Sequence, residues 1–194
     1  MNHKQVPDLI PRRRNPITIF VGWIIVLFMG WRIEGDLPNL KKCVIIGAPH
    51  TSNWDFVLAL AVIFKLRLRA RWLGKHTLFK KPFGTVMRWM GGIPVNRSEA
   101  RGVVTQTVEA FSEREELLLL LSPEGTRKRV TKWKTGFLHI SYGAKVPVLL
   151  ANLNYEKKIA TFGPLFHPTG NLEEDLAAVQ GLYKDIVGKT TSKD

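Results

Sequence analysis

Cysteine is almost absent from this chain. Cys43 is the single one in 194 residues, so no internal disulfide can form and a reducing compartment suits the sequence. Acid is scarce as well: 16 Asp and Glu face 29 Lys and Arg, for a formal net charge of +13. Such an excess favours a polyanionic partner, whether nucleic acid, anionic lipid or a phosphorylated small molecule. No zinc-type spacing of His and Cys occurs, and no aromatic signature of an RNA-binding sheet, so neither a metal nor a nucleic acid is expected. The G-x-S-x-G elbow of serine hydrolases is missing too. No apolar run reaches the roughly 20 residues of a spanning helix; residues 17–31 come nearest, with Thr18 as their only polar side chain.

What is present begins with that run. Arg12, Arg13 and Arg14 precede it, and as a helix it would extend about 22 Å, short of the hydrocarbon core of a bilayer. The following "MGWRIEGDL" lacks the small-x-small cleavage pattern of a signal peptide. Two readings remain. A tilted helix could cross the membrane, or a monotopic helix could lie in one leaflet with Trp23 and Trp31 near the interface. The arginines favour a cytoplasmic N-terminus, so a crossing would export everything after Trp31. A further basic stretch, 65–81, could dock on the same anionic leaflet, and 127–134 holds five more basic residues. Within 65–81, Arg67, Arg69 and Arg71 alternate with Leu68 and Ala70, as on one face of a strand.

Composition, 45% hydrophobic and 23% charged, points to a folded domain. Short apolar runs at 43–48, 70–74, 117–121, 146–152 and 157–163 read as strands, and a turn at 91–95 leads into another strand or a loop. Between them 53–66, 83–90, 99–113, 136–144 and 173–188 read as helices. This alternation predicts an α/β fold: a mixed, mostly parallel sheet flanked by helices, with an N-terminal membrane-associating helix. The expected organisation is a basic segment and helix over 1–31, then one α/β domain over 32–194.

Functional groups in such sheets sit in loops past strand ends. His50 follows the first of these strands in "IIGAPHTSNWDF", with Asp55 five positions on. Ser52 to Asp55 also fits the capping box of a helix start. The two readings agree. With His50 in the turn and Asp55 in the first helical turn, the carboxylate can accept the imidazole Nδ1–H and leave Nε2 as a general base. "EGTR" (Glu124, Gly125, Thr126, Arg127) follows the five leucines of 117–121, where a glycine turn would expose backbone N–H groups and aim Arg127 outward. An arginine fork suits phosphate. Arg97 follows a Gly-Gly turn in "GGIPVNR" and offers a second one. Cys43 lies inside an apolar strand and reads as a core thiol, His139 on an expected helix reads as a packed or surface histidine, and His76 and His167 lack a carboxylate at a persuasive spacing. Lys134 reads as part of a solvated basic loop, with donor phosphates as the alternative.

In this order, the residues resemble the glycerolipid acyltransferase family, which includes 1-acyl-sn-glycerol-3-phosphate acyltransferases and lysophospholipid acyltransferases. His50 and Asp55 match its H-x₄-D motif, Gly92 to Arg97 its second block, Glu124 to Arg127 its third, and "VPVLLA" around Pro147 its fourth. The resemblance implies a membrane-associated O-acyltransferase of phospholipid biosynthesis, on the cytoplasmic face of the inner membrane. An acyl chain would pass from acyl-CoA or acyl carrier protein, used as co-substrate, to a lysophospholipid-like hydroxyl, and no bound cofactor is implied. His50 would act as base, Asp55 as its orienting partner, and Arg97, Glu124, Gly125, Thr126 and Arg127 would bind the acceptor. Pro49 stands where glycerophosphate acylators commonly carry Asn, which leaves other hydroxyl acceptors open. The alternatives are a thioesterase or lipid hydrolase, and a non-catalytic adaptor on anionic membranes.

Overall fold

The computed structural model describes residues 6–50, 52–95, 100–125, 133–184 and 186, without the side chains of Ala100 and Arg101. Seven strands form one sheet: β1 (Arg32–Gly35), β2 (Lys42–Gly47), β3 (Ala70–Lys75), β4 (Gly92–Val95), β5 (Leu117–Leu121), β6 (Val148–Asn154) and β7 (Ile159–Phe166). Their order across the sheet is β1-β7-β6-β2-β5-β3-β4. Between these seven strands every pairing is parallel except the β6–β7 hairpin, so β1 and β7 run against the other five. The mixed, mostly parallel α/β architecture agrees with the sequence expectation.

Side-chain alternation along the central strands divides the core in two. Cys43 and Ile45 face a layer built from α1 (Pro16–Phe28) and α2 (Asn53–Lys65), whereas Val44 and Ile46 face α4 (Ala100–Glu113), α5 (Gly136–Ala144) and α6 (Leu172–Gly181). The leucines of β5 obey the same rule, Leu118 turning to the first layer and Leu117 and Leu119 to the second. A continuous apolar run suits a strand covered on both faces. A 3₁₀ turn (His76–Phe79) and the short α3 (Gly84–Trp89) cover the β3–β4 edge, where Trp72 and Phe79 pack together.

The N-terminal helix starts where the side chain of Asn15 accepts the Thr18 N–H at 3.1 Å and Pro16 presets the first turn. Thr18, Gly22 and Val26, spaced by four, form its buried stripe. Gly22 sets the approach to α2: a Cβ there would lie 2.6 Å from both the Ala61 carbonyl oxygen and the Lys65 nitrogen. Among the described residues no helix is long and apolar enough to cross a membrane.

Three local expectations need correction. Trp31 does not sit at a surface: it is 6% exposed, its N–H donates to the Val26 carbonyl, and its ring meets Tyr155 edge-on at 4.9 Å. Helix α1 stops at Phe28, and β1, four residues too short and polar to read as a strand, draws the chain back onto β7. The arginine row also breaks, because Arg67 adopts a left-handed backbone (φ 58°) in the turn after α2 and β3 starts only at Ala70.

The close crossing gives a test. Gly22→Leu is expected to force α1 off α2 and lower stability by about 2 kcal/mol or more, read by chemical denaturation. Gly22→Ala, which places its methyl against the same backbone atoms, should lose a smaller but measurable part.

Candidate active site

Parallel pairing of β2 with β5 puts Ile46 beside Leu121, so the loops leaving both strands emerge at the same sheet edge. His50 and Glu124, four and three residues beyond that pair, meet there. The His50 N–H donates to Glu124 Oε2 at 2.8 Å. The sequence gap between them is 74 residues, and only the sheet register closes it.

The turn after β2 then enters α2. Ser52 is the N-cap, its hydroxyl accepting the Trp54 N–H at 3.1 Å, while Asp55 Oδ2 accepts the Ser52 N–H at 2.7 Å. The capping box is therefore real. It also fixes the carboxylate beside the imidazole: His50 Nδ1 lies 3.5 Å from Asp55 Oδ2. The histidine side chain is 27% exposed and the aspartate 3%. A carboxylate withdrawn so far from water requires donors of its own. Oδ1 receives two, the Ser52 hydroxyl at 3.2 Å and the Tyr155 hydroxyl at 2.5 Å.

Tyr155 was not visible as a site residue. It lies in the turn between β6 and β7, 100 positions from Asp55, and a lone tyrosine before "EKK" carries no motif. Burial first, and then the Asp55 carboxylate, hold its hydroxyl well above the usual phenol range, so it remains a donor. Trp31 braces the same ring from the other side.

Glu124 is 8% exposed. Burial raises its carboxyl above the ordinary range; the His50 N–H opposes that rise and the Asp55 charge adds to it. Gly125 has φ +63°, and a Cβ there would stand 3.1 Å from the Lys134 side chain, which lies across the turn. Lys134 itself is exposed, as the sequence reading held. Just ahead of this turn the buried Ser122 Oγ finds no hydrogen-bond partner among the described residues. Thr126, Arg127 and Arg97 lie outside the described residues. His50, Asp55, Glu124 and Gly125 are thus brought together.

His50 and Asp55 line an open cleft of about 1670 Å³. Phe56, Val57, Trp72, Leu78 and Met87 give it an apolar wall, and Lys134 and Asn152 add polar groups. The volume exceeds the roughly 300–1,000 Å³ of a small-molecule pocket and suits a long apolar ligand. Cys43 is buried in β2 with its thiol pushed up to about 12, which agrees with a core role. Among the described residues no group of three His, Cys, Asp or Glu could hold a metal ion. The chemistry on offer is proton transfer at an imidazole next to an apolar cleft.

Known proteins resemble this chain in family and in fold. A family model described as Acyltransferase covers residues 31–151, over half of the chain. Among solved structures, the fold is similar to the crystal structure of the 1-acyl-sn-glycerophosphate (LPA) acyltransferase of Thermotoga maritima. The identity is 16% and the TM-score 0.62, over 87% of this chain and 76% of that one. No curated protein matches the chain.

The raised Glu124 carboxyl makes stability depend on pH. Its charged form is disfavoured in the fold, so the linked stability is full below the ordinary carboxylate range and falls as pH climbs through the raised folded value. Glu124→Gln keeps an oxygen for the His50 N–H and abolishes the titration. In urea unfolding from about pH 4 to about pH 8, the stability difference between the two proteins should move steadily toward the variant.

Proposed function

The chain belongs to the family described as Acyltransferase and is an acyltransferase, and from that premise we propose that it transfers an acyl chain from a thioester to the hydroxyl of a lysophospholipid-like acceptor. The observation that carries this reading is the His50–Asp55 pair, with its carboxylate buried and its imidazole lining the apolar cleft. A base with an orienting partner, beside room for a long chain, is what deprotonating a lipid hydroxyl requires.

In the proposed reaction, the thioester of acyl-CoA or acyl carrier protein enters the cleft with its acyl chain against Phe56, Trp72 and Met87. Asp55 holds Nδ1, so Nε2 is the nitrogen that removes the acceptor proton. The separation of 3.5 Å is longer than a good hydrogen bond, and such contacts tighten as a reacting complex forms. The acceptor oxygen bonds to the carbonyl carbon, the C–S bond breaks, and the leaving thiolate takes the proton back from the imidazolium. Asp55 stabilises that cation while it exists. No acyl-enzyme is needed. Arg97, Glu124, Gly125, Thr126 and Arg127 hold the acceptor head group, Glu124 also tying its loop to the His50 turn. Tyr155 acts through Asp55 as a positioning residue.

Membrane attachment is the second half of the proposal. Helix α1 and the basic segment before it dock on the cytoplasmic leaflet of the inner membrane, while 32–194 forms the catalytic domain. Phe20, Trp23, Leu27 and Phe28 are 48 to 83% exposed on α1, more clustered apolar surface than a soluble face needs. Thirteen residues span about 20 Å, which favours lying in one leaflet over crossing. Phe83, Val86 and Trp89 extend the apolar surface next to Arg13, whose guanidinium lies 4.7 Å from the Trp89 ring.

Purified protein given labelled acyl-CoA or acyl carrier protein, with and without lysophospholipids, should form an acylated lipid only when the acceptor is present. Free fatty acid as sole product would instead indicate a hydrolase. His50→Ala should lower kcat by at least about 100-fold and Asp55→Asn by a comparable factor, with far-UV circular dichroism unchanged.

Tyr155→Phe should leave the fold intact and raise the pH of the acidic limb of kcat/KM by up to about one unit. Losing that donor concentrates negative charge on Asp55 and makes the facing imidazole more basic. An unmoved pH profile would show that the tyrosine only packs.

A further inference from the structure

Acyl transfer makes no use of a second cavity, of about 270 Å³, at the opposite end of the sheet. It opens where β3 and β5 begin, between Arg69, Arg71 and Arg114, with Glu115 and Glu116 at its rim. The His50 cleft lies at the other ends of these parallel strands, about 17 Å away along the five residues of β5. None of the residues lining one cavity lines the other.

The charges here are not balanced. Arg69 Nη1 is 2.9 Å from Glu116 Oε1, and Arg114 Nη1 donates to the Ala110 carbonyl at 3.0 Å. Arg71, half-buried between them, makes no hydrogen bond or ion pair with any described residue. Arg13 stands close enough to feel both Arg69 and Arg71, yet it is committed to the Trp89 carbonyl and to the Phe64 and Trp89 rings. Burial, and then repulsion from Arg69 and Arg114, lower the Arg71 guanidinium from its ordinary value. It nonetheless stays charged, because a guanidinium does not deprotonate near neutral pH. Structural arginines normally close such a cluster with carboxylates, but Glu116 is taken and Glu115 points to solvent. An entering oxyanion would relieve the repulsion and meet a fork with two parallel donors.

We propose that this cavity is a phosphate-binding site distinct from the active site, with Arg71 as the bidentate partner and Arg69 and Arg114 completing the cradle. The phosphate has two possible sources, a lipid head group and the free ion, and the placement favours the lipid. A backbone strap joins the cavity to the membrane-facing helix: Arg69 N–H donates to the Pro11 carbonyl at 2.8 Å, Arg13 N–H to the Arg67 carbonyl at 2.6 Å, and α1 starts three residues later. A head group held here would leave its chains beside the exposed face of α1. The lipid source rests on the membrane reading above, whereas the phosphate site does not depend on it or on acyl transfer.

The test uses the full chain, Arg71→Gln and Arg114→Gln, the latter at an exposed loop position in case the former folds poorly. Sodium phosphate is titrated against sodium chloride at matched ionic strength while Tm is followed. Flotation is measured with phosphatidylcholine vesicles with and without phosphatidylglycerol. Phosphate should raise the Tm of the unaltered protein, with an apparent Kd at least about tenfold weaker in the variants. Partition onto phosphatidylglycerol vesicles should fall about fivefold, and partition onto phosphatidylcholine should not change. A lost phosphate response with unchanged partition assigns the site to the free ion and overturns the lipid source. Absence of a phosphate-specific rise in Tm, or an equal rise in all three proteins, overturns the site. Turnover with a soluble thioester and a micellar acceptor, matched in all three, separates this result from any failure of the acyl-transfer reading.

Discussion

Burying the Asp55 carboxylate is the constraint on which the rest of the site depends. A charge at 3% exposure is tolerable only when donors surround it, and the donors come from three parts of the chain. Ser52 supplies two from the helix cap, Tyr155 one from the β6–β7 turn, and His50 faces it from the turn after β2. The cap that starts α2 and the group that faces the imidazole are therefore one carboxylate. Local folding and chemistry cannot be varied independently here. The second buried acid of the site, Glu124, is tied to the same turn, its Oε2 accepting the His50 N–H.

Position then follows from topology. Parallel strands deliver their outgoing loops to one edge, which is why β2 and β5 can present His50 and Glu124 together. The β6–β7 hairpin is the one reversal, and its turn returns Tyr155 to that edge. Trp31, just past α1, packs against Tyr155 on its far side. A continuous line of contact thus runs from the end of the apolar-faced helix through Trp31 and Tyr155 to Asp55. Helix α1 shares a core with Cys43, Ile45 and Leu58 through Val26, and is braced on α2 at Gly22. It is fixed to the sheet, so whatever surface α1 rests on has a set orientation to the cleft.

Much of this was legible in the sequence, for identifiable reasons. The run of five leucines and "CVIIG" are covered on both faces, so their hydrophobicity shows in any window, and 136–144 matches α5 residue for residue. The capping box revealed the start of α2 because its chemistry is local. What escaped detection depends on partners distant in sequence. β1 is four residues whose only reason to be extended is β7. Trp31 looked like an interfacial anchor because the ring that buries it lies 124 positions on, at Tyr155. Alternation suggested a single row of arginines, but a left-handed turn at Arg67 reset the register before β3. His50 and Asp55 were found by spacing; Tyr155, which completes the pair, has no spacing to find.

The excess of positive charge is resolved by the same geometry. Arg12 contacts Asp8, Arg69 contacts Glu116, and Arg13 is folded over aromatic rings, so several of the basic residues are already occupied structurally. Arg69, Arg71 and Arg114 stand together where the strap from Pro11 to Arg13 meets the start of β3, at the root of the helix with the exposed apolar face. Positive charge beside exposed aromatic and aliphatic side chains is the pairing that an anionic lipid surface rewards twice, once by Coulomb attraction and once by burial. A nucleic acid would use the charge and leave the apolar face in water. The two features favour a membrane only in combination, and the fold places them a few residues apart.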